Sequence, residues 1–178
     1  MAGVSSPRLS ETSYIVLSLV ERLQPATPYD LKQLAQQSTV NFWNVPHTQL
    51  YTESARLARE GLLSEEREQG GRRRRIYRIT HEGMRVLTAW RATPTSRTYE
   101  LRDVGILKLF LGADPQPLAR AQLQSHRDAL EHLERQHGEL LGAPVGWRLA
   151  LEAGIGHERE FIRFWSGVLA GGGPGADG

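Results

Sequence analysis

Histidine is the residue in this chain best suited to metal ligation or proton transfer, and none of the six finds a set of partners. His157-Glu158-Arg159-Glu160-Phe161 begins like the helix of a zinc protease. There, two histidines one turn apart hold the metal and the glutamate activates water, and here the second histidine is missing. His126, His132 and His137 fall on one predicted helix, but spacings of six and five do not stack them on one face. The absence of cysteine excludes thiolate metal sites and disulfides. No glycine-rich phosphate loop follows a strand, and no G-x-S-x-G elbow is present. Carboxylates have arginines within reach on helix surfaces, as Glu131 has Arg135. The expectation is a protein that is not an enzyme, with no catalytic set, metal or cofactor.

The chemistry that remains is that of cations and hydrogen-bonding side chains. Arg72, Arg73, Arg74 and Arg75 follow one another directly after Gly70 and Gly71. Such a run can be a solvated loop, or it can lie along phosphates or enter a minor groove. Residues 1–92 carry 13 Lys/Arg against 9 Asp/Glu, and residues 93–178 carry 9 against 11. The overall charge of +2 is too small to identify a nucleic-acid partner, but the basic excess sits in the first half.

The elements around this run position it. A first helix begins near Glu11 to Ser13, capped by Thr12 or Ser13. It is apolar on nearly every face from Tyr14 to Val20 and so is expected inside its domain. Thr27-Pro28-Tyr29-Asp30 reads as a cap, a first-turn proline and a capping box. The helix it opens buries Leu31, Leu34 and Ala35 and points Lys32 and Gln36 outward. Phe42 and Trp43 follow, either as core plugs or as the wall of an effector pocket.

A third helix runs from about Pro46 to Glu60. Leu50, Leu57 and Ala58, with Tyr51 and Ala55, make its inward stripe, and His47, Thr48, Gln49, Thr52, Glu53 and Arg56 face away. Short polar side chains near a helix start are the kind that read base edges in a major groove, which points to His47, Thr48, Gln49 and Thr52. Gly61 ends this helix. Strands at about 62–67 and 76–79 make a hairpin around the basic tip, with Tyr77 and Ile79 on one face and Arg78 on the other. Thr80 caps a fourth helix, His81 to about Ala92, whose apolar face holds Met84, Val86, Leu87 and Trp90.

Ala92 to Thr98 has linker composition. Beyond it, the pattern predicts a short helix from Leu101 to Leu111 and a long one from Asp114-Pro115 to about Leu141. A last helix runs from Trp147 to about Leu169. Leu123, Leu130, Leu133 and Leu140 are spaced close to a heptad. With Ile155, Ile162, Trp165 and Leu169 on the last helix, they suggest a seam that another copy of the chain completes. A closed intramolecular hairpin is the rival reading. Residues 171–178 read as a disordered tail. The N-terminus lacks the apolar run of a signal peptide, and the longest apolar stretch is too short to cross a bilayer. A soluble cytoplasmic protein without a membrane partner is expected.

The predicted fold is therefore mainly α with a small β-hairpin. A winged helix-turn-helix occupies residues 8–92 and a helical dimerisation domain residues 99–170. The segments SYIVLSLV, PYDLKQL, LYTESARLAREGLL, RRRRIYRITHEG, ELRDVGILKLFLG and GIGHEREFIRFW together resemble the PadR family of transcriptional regulators, in the form with a long C-terminal helical region. The resemblance covers about residues 8 to 170. It implies a homodimeric repressor of a palindromic operator, with the third helix in the major groove and the wing at the minor groove. Some members release DNA when a small aromatic compound binds between the two domains. By position, His47, Thr48, Gln49, Tyr51 and Thr52 take the recognition-helix role. Tyr29 and Lys32 lie near phosphate, and Arg72 to Arg75 form the wing. Arg56, on the same outer face, joins the expected DNA-contacting set. Ser54 departs from the family pattern, which usually has a core-facing leucine there. A helical protein-interaction adaptor, using the winged domain as a scaffold, is the competing function. It would have no need of the arginine tip.

Overall fold

The structure, a computed structural model, describes residues 9–39, 42–68, 74–140 and 142–171. The chain divides into two compact units, Met1–Ser96 and Arg97–Gly178.

The first unit is built on α1 (Glu11–Leu23), which packs against every other helix of the unit and the second strand. Val16, Leu17, Leu19 and Val20 are buried around most of its circumference, as its all-round apolar character requires. Its cap is Ser10, not Thr12 or Ser13 as expected. The Ser10 amide donates to Ser13 Oγ at 2.9 Å, and Ser13 is fully buried. In α2 (Pro28–Ser38) the capping box forms as the sequence indicates. The Thr27 amide donates to Asp30 Oδ2 at 2.9 Å, and the Asp30 amide returns to Thr27 Oγ1 at 3.3 Å. Phe42 and Trp43, expected as core plugs or pocket walls, are 59% and 44% exposed. The core between α2 and α3 is instead filled by Val45, Leu31 and Leu50.

The third helix is α3 (His47–Arg59), preceded by Pro46. Leu50, Ser54 and Leu57 are its buried positions. Gly61 has φ 75°, and around it the Leu62 amide donates to the Leu57 carbonyl and the Gly61 amide to that of Ala58. This pair of bonds closes the helix and turns the chain directly into a strand. β1 (Leu63–Arg67) and β2 (Arg75–Ile79) pair antiparallel, with Leu63 opposite Ile79 and Arg67 opposite Arg75. A two-residue bridge secures this hairpin to the helices: the Tyr77 amide donates to the Ala26 carbonyl at 2.8 Å, and the Ala26 amide to that of Tyr77 at 3.0 Å. Tyr77 itself is buried.

Thr80 starts α4 (His81–Ala92), accepting from the Gly83 amide at 3.0 Å and donating to the Gly61 carbonyl at 2.8 Å. Trp90 remains half exposed, stacked on Tyr14 with ring centroids 4.5 Å apart.

In the second unit, α5 (Val104–Phe110) is shorter than predicted because Asp103 caps it, accepting from the Ile106 amide at 2.8 Å. α6 (Pro115–Glu139) and α7 (Val145–Leu169) form an antiparallel hairpin. Ala119, Leu123 and Trp165 make one buried cluster, joined by Ile162 and Leu169, and Leu133, Leu151 and Ile155 make another, joined by Leu130. The residues expected at a dimer seam therefore also pack within the chain. Leu123, Leu133, Ile155 and Trp165 are buried by this chain's own helices, and Leu130, Ile162 and Leu169 pack half-buried beside them. Within the one chain, α6 and α7 fold back on each other. The second unit's apolar exposure lies elsewhere, on Leu107, Phe110 and Leu111 among others.

The α4 start tolerates no side chain at Gly83, where an added Cβ would lie 2.1 Å from the Leu62 carbonyl oxygen. Gly83→Ala is expected to cost about 3 kcal/mol, the upper part of the overpacking range. Urea unfolding checks it, and an unchanged midpoint would refute this close approach.

Candidate nucleic-acid interface

The outer face of α3 is open where the sequence places its polar residues. His47, Thr48, Gln49, Tyr51 and Thr52 are all exposed. Tyr51 therefore belongs to this face and not to the inward stripe. Thr52 Oγ1 donates to the Thr48 carbonyl at 2.9 Å. Its proton is thus used within the helix, and the residue offers a methyl group and an acceptor outward.

Two adjoining clefts bring this face together with the start of α2 and the wing. Thr27, Pro28, Tyr29, Asp30, Arg74 and Arg75 line one. Pro28, Tyr51, Thr52, Ala55, Arg75 and Tyr77 line the other. Arg75 belongs to both. Tyr29 is 61% exposed, and its hydroxyl oxygen accepts from Gln33 Nε2 at 2.7 Å, which leaves the phenolic proton available to a ligand. The Asp30 carboxylate in this cleft is held by both the amide and the hydroxyl of Thr27. Lys32 is half-buried on α2. Arg72 and Arg73 lie outside the described residues.

Arg56 and Glu53 do not stand free on the outer face. Ser13 Oγ of α1 donates to Glu53 Oε1 at 2.6 Å, and Arg56 bonds Glu53 at 2.6 and 2.9 Å, Ser13 at 3.1 Å and Glu60 at 2.6 Å. The Arg56 hydrogen bond holds the Glu53 carboxyl below its usual range, Ser13 adds to the effect, and burial opposes it. Arg56 is held more firmly protonated in turn, chiefly by Glu53. The network fastens α3 to α1, and sequence reading missed it because Ser13 and Glu53 lie 40 residues apart. Ser54, the departure from the family pattern, is accommodated inside the helix: its hydroxyl donates to the Leu50 carbonyl at 2.7 Å.

Near the base of the wing, Tyr77 Oη donates to Glu65 Oε2 at 3.2 Å, and burial pushes the Tyr77 phenol up from its ordinary value. Among the described residues, no group of three or more His, Cys, Asp or Glu side chains could hold a metal ion. No described helix is long and apolar enough to cross a membrane.

Four helices, the third with an exposed polar face, and a two-stranded wing make the N-terminal unit a winged helix-turn-helix. Residues 16–89 match the Transcriptional regulator PadR-like family. The "Negative transcriptional regulator PadR" of Bacillus subtilis is 22% identical over 175 residues, covering 88% of this chain and 94% of that protein. The crystal structure of Bacillus subtilis PadR in complex with operator DNA superposes with TM-score 0.79 at 20% identity, covering 92% of this chain and 99% of that one. The same protein in complex with p-coumaric acid gives 0.74 at 21% identity, covering 89% and 96%. Over residues 16–89 the chain is thus similar to the PadR-like family of transcriptional regulators.

Ser13→Ala removes the donor that joins α1 to Glu53, and is expected to cost about 1–3 kcal/mol in thermal or urea unfolding. Glu53 adds a pH signature. Its folded pKa lies below the ordinary 4.5, so its contribution is present above that value and is lost as pH falls through the folded one. The stability gap between the parent and Glu53→Gln should therefore shrink on acidification below about 4.5. A gap that widens in acid would contradict the pairing.

Proposed function

We propose that this protein is a cytoplasmic, homodimeric repressor that binds a palindromic operator. In this reading α3 enters the major groove, and His47, Thr48, Gln49, Tyr51 and Thr52 meet base edges and neighbouring phosphates. Tyr29 and Lys32 approach the backbone from α2, and Arg72 to Arg75 track phosphates or the adjoining minor groove. The observation that carries the reading is the pair of clefts sharing Arg75, which unites α2, α3 and the wing on one surface. The operator complex of the Bacillus subtilis relative supports the partner. Its p-coumaric acid complex supports a small aromatic effector that releases DNA. Arg56 acts mainly by holding α3 in place.

The second unit supplies the dimer contact. The surface it offers is the exposed apolar set of α5 and its flanks, including Leu107, Phe110 and Leu111, beside the half-buried Leu130, Ile162 and Leu169 of the α6–α7 seam. Phe110 is 84% exposed, an unusual position for a phenylalanine in a lone chain.

Replacing Arg73 and Arg74 by alanine should weaken binding to every duplex. It should also flatten the salt dependence by about 0.9 log units for each phosphate that is no longer neutralised. Gln49→Ala should instead relax base preference, by about 1–3 kcal/mol at the contacted pair. Selection of bound sequences from random duplexes reads the operator directly, and an enriched inverted repeat is the expected outcome. An adaptor protein would enrich nothing and would not be retained on duplex DNA at low salt.

Leu107→Asp combined with Phe110→Asp should convert a dimer to a monomer in sedimentation equilibrium while the helical circular dichroism is kept. Dimers that persist in the double variant would move the interface elsewhere.

A further inference from the structure

The wing holds an arrangement that the assigned contacts leave unexplained. Its register sets Arg67 directly opposite Arg75. Like charges facing one another across an antiparallel pair destabilise it unless something lies between them. Here that is Glu65, two residues back on the same face of β1. Glu65 Oε1 lies 3.2 Å from Arg67 Nε, and Oε2 lies 3.6 Å from Arg75 Nη1. The buried Tyr77, directly across from Glu65, donates its hydroxyl to that same Oε2 at 3.2 Å. Glu65 is therefore anchored from one side and shared between two arginines. Its side chain is 20% exposed, whereas Arg67 is 61% and Arg75 46% exposed. One carboxylate for two guanidinium groups leaves the cluster one positive charge in excess. Arg75 lines the clefts beside α2 and α3, so the cluster borders the proposed path of the duplex.

We propose that Arg67 and Arg75 form a two-guanidinium clamp for a backbone phosphate, and that Glu65 is its built-in competitor. The inference rests on the DNA-binding reading above and adds two residues to it, Arg67 as a phosphate ligand and Glu65 as a restraint. A phosphate oxygen accepts the Arg67 Nε proton that the carboxylate accepts in the free protein and replaces the carboxylate in its ion pair with Arg75, so entry of the phosphate exchanges one anion for another. The net gain is smaller than two free arginines would provide. The restraint acts on all sequences alike, because phosphate carries no base identity. It lowers affinity for random DNA and leaves discrimination to α3.

The test is a fluorescence-anisotropy titration of the full chain with a labelled random-sequence duplex across a series of potassium chloride concentrations. The parent, Glu65→Gln, Arg67→Gln and the double variant are compared. Glutamine keeps an acceptor for the Tyr77 hydroxyl and removes the charge. Glu65→Gln should bind about tenfold tighter, the scale of one charge-assisted hydrogen bond. Its salt dependence should steepen by up to about 0.9, the increment for one neutralised phosphate. In the Arg67→Gln background that gain should disappear. Weaker or unchanged binding by Glu65→Gln overturns the restraint, and a gain that persists without Arg67 overturns the clamp. If Glu65→Gln melts early, Arg67→Gln alone carries the test. It should flatten the salt dependence, and an unaltered slope overturns the proposal. A parent chain that ignores duplex altogether overturns the DNA-binding reading itself, a result distinct from any difference among the variants.

Discussion

The bond from Ser13 to Glu53 sets the geometry on which the first unit depends. The outer face of α3 is defined only if the helix is held at one rotation about its own axis. Apolar packing of Leu50 and Leu57 restrains that rotation only loosely, because hydrophobic contact has little directional preference. A hydrogen bond from a fully buried serine has a direction. Arg56 then bridges Glu53, Glu60 and Ser13, so both ends of the network are satisfied and no charge is left buried alone. The consequence is one arginine withdrawn from the outer face.

The wing is held by the same means, through backbone rather than side chains. A lone two-stranded hairpin is marginal in water. The bridge between Ala26 and Tyr77 joins it to the turn before α2, while the Gly83 approach to the Leu62 carbonyl closes it against α4. Arg75 reaches the start of α2 because β2 is tied there. α3, α2 and the wing are thus one surface by construction, with α1 as the common support.

The second unit shows how one pattern can have two partners. Leucines at seven-residue spacing mark a helix face that must be covered, whatever covers it. The turn near Gly142, at φ 95°, lets α7 fold back on α6, so Leu123 meets Trp165 and Leu133 meets Ile155 within one chain. What stays exposed includes Val145 and Leu149 at the start of α7 and, above all, residues of the short α5 and its flanks, a segment too brief to reveal its face by periodicity.

The helices, their caps at Thr27, Thr80 and Asp114, the Gly61 turn and the hairpin could all be read from the chain itself. Each depends on residues within a few positions of one another, where dihedral preferences and local hydrogen bonds act. Exposure of His47, Thr48, Gln49 and Thr52 could be read too, since helical periodicity alone assigns them to the face opposite Leu50 and Leu57. Four features could not: the inward turn of Ser13, the capture of Arg56, the exposure of Phe42 and Trp43, and the pairing of α6 with α7. Each is settled by a neighbour distant in sequence or by the lack of one, and side-chain type does not encode which distant surface will arrive. Only the folded chain brings Glu65 between two arginines, because the register of the strands puts Arg67 and Arg75 face to face.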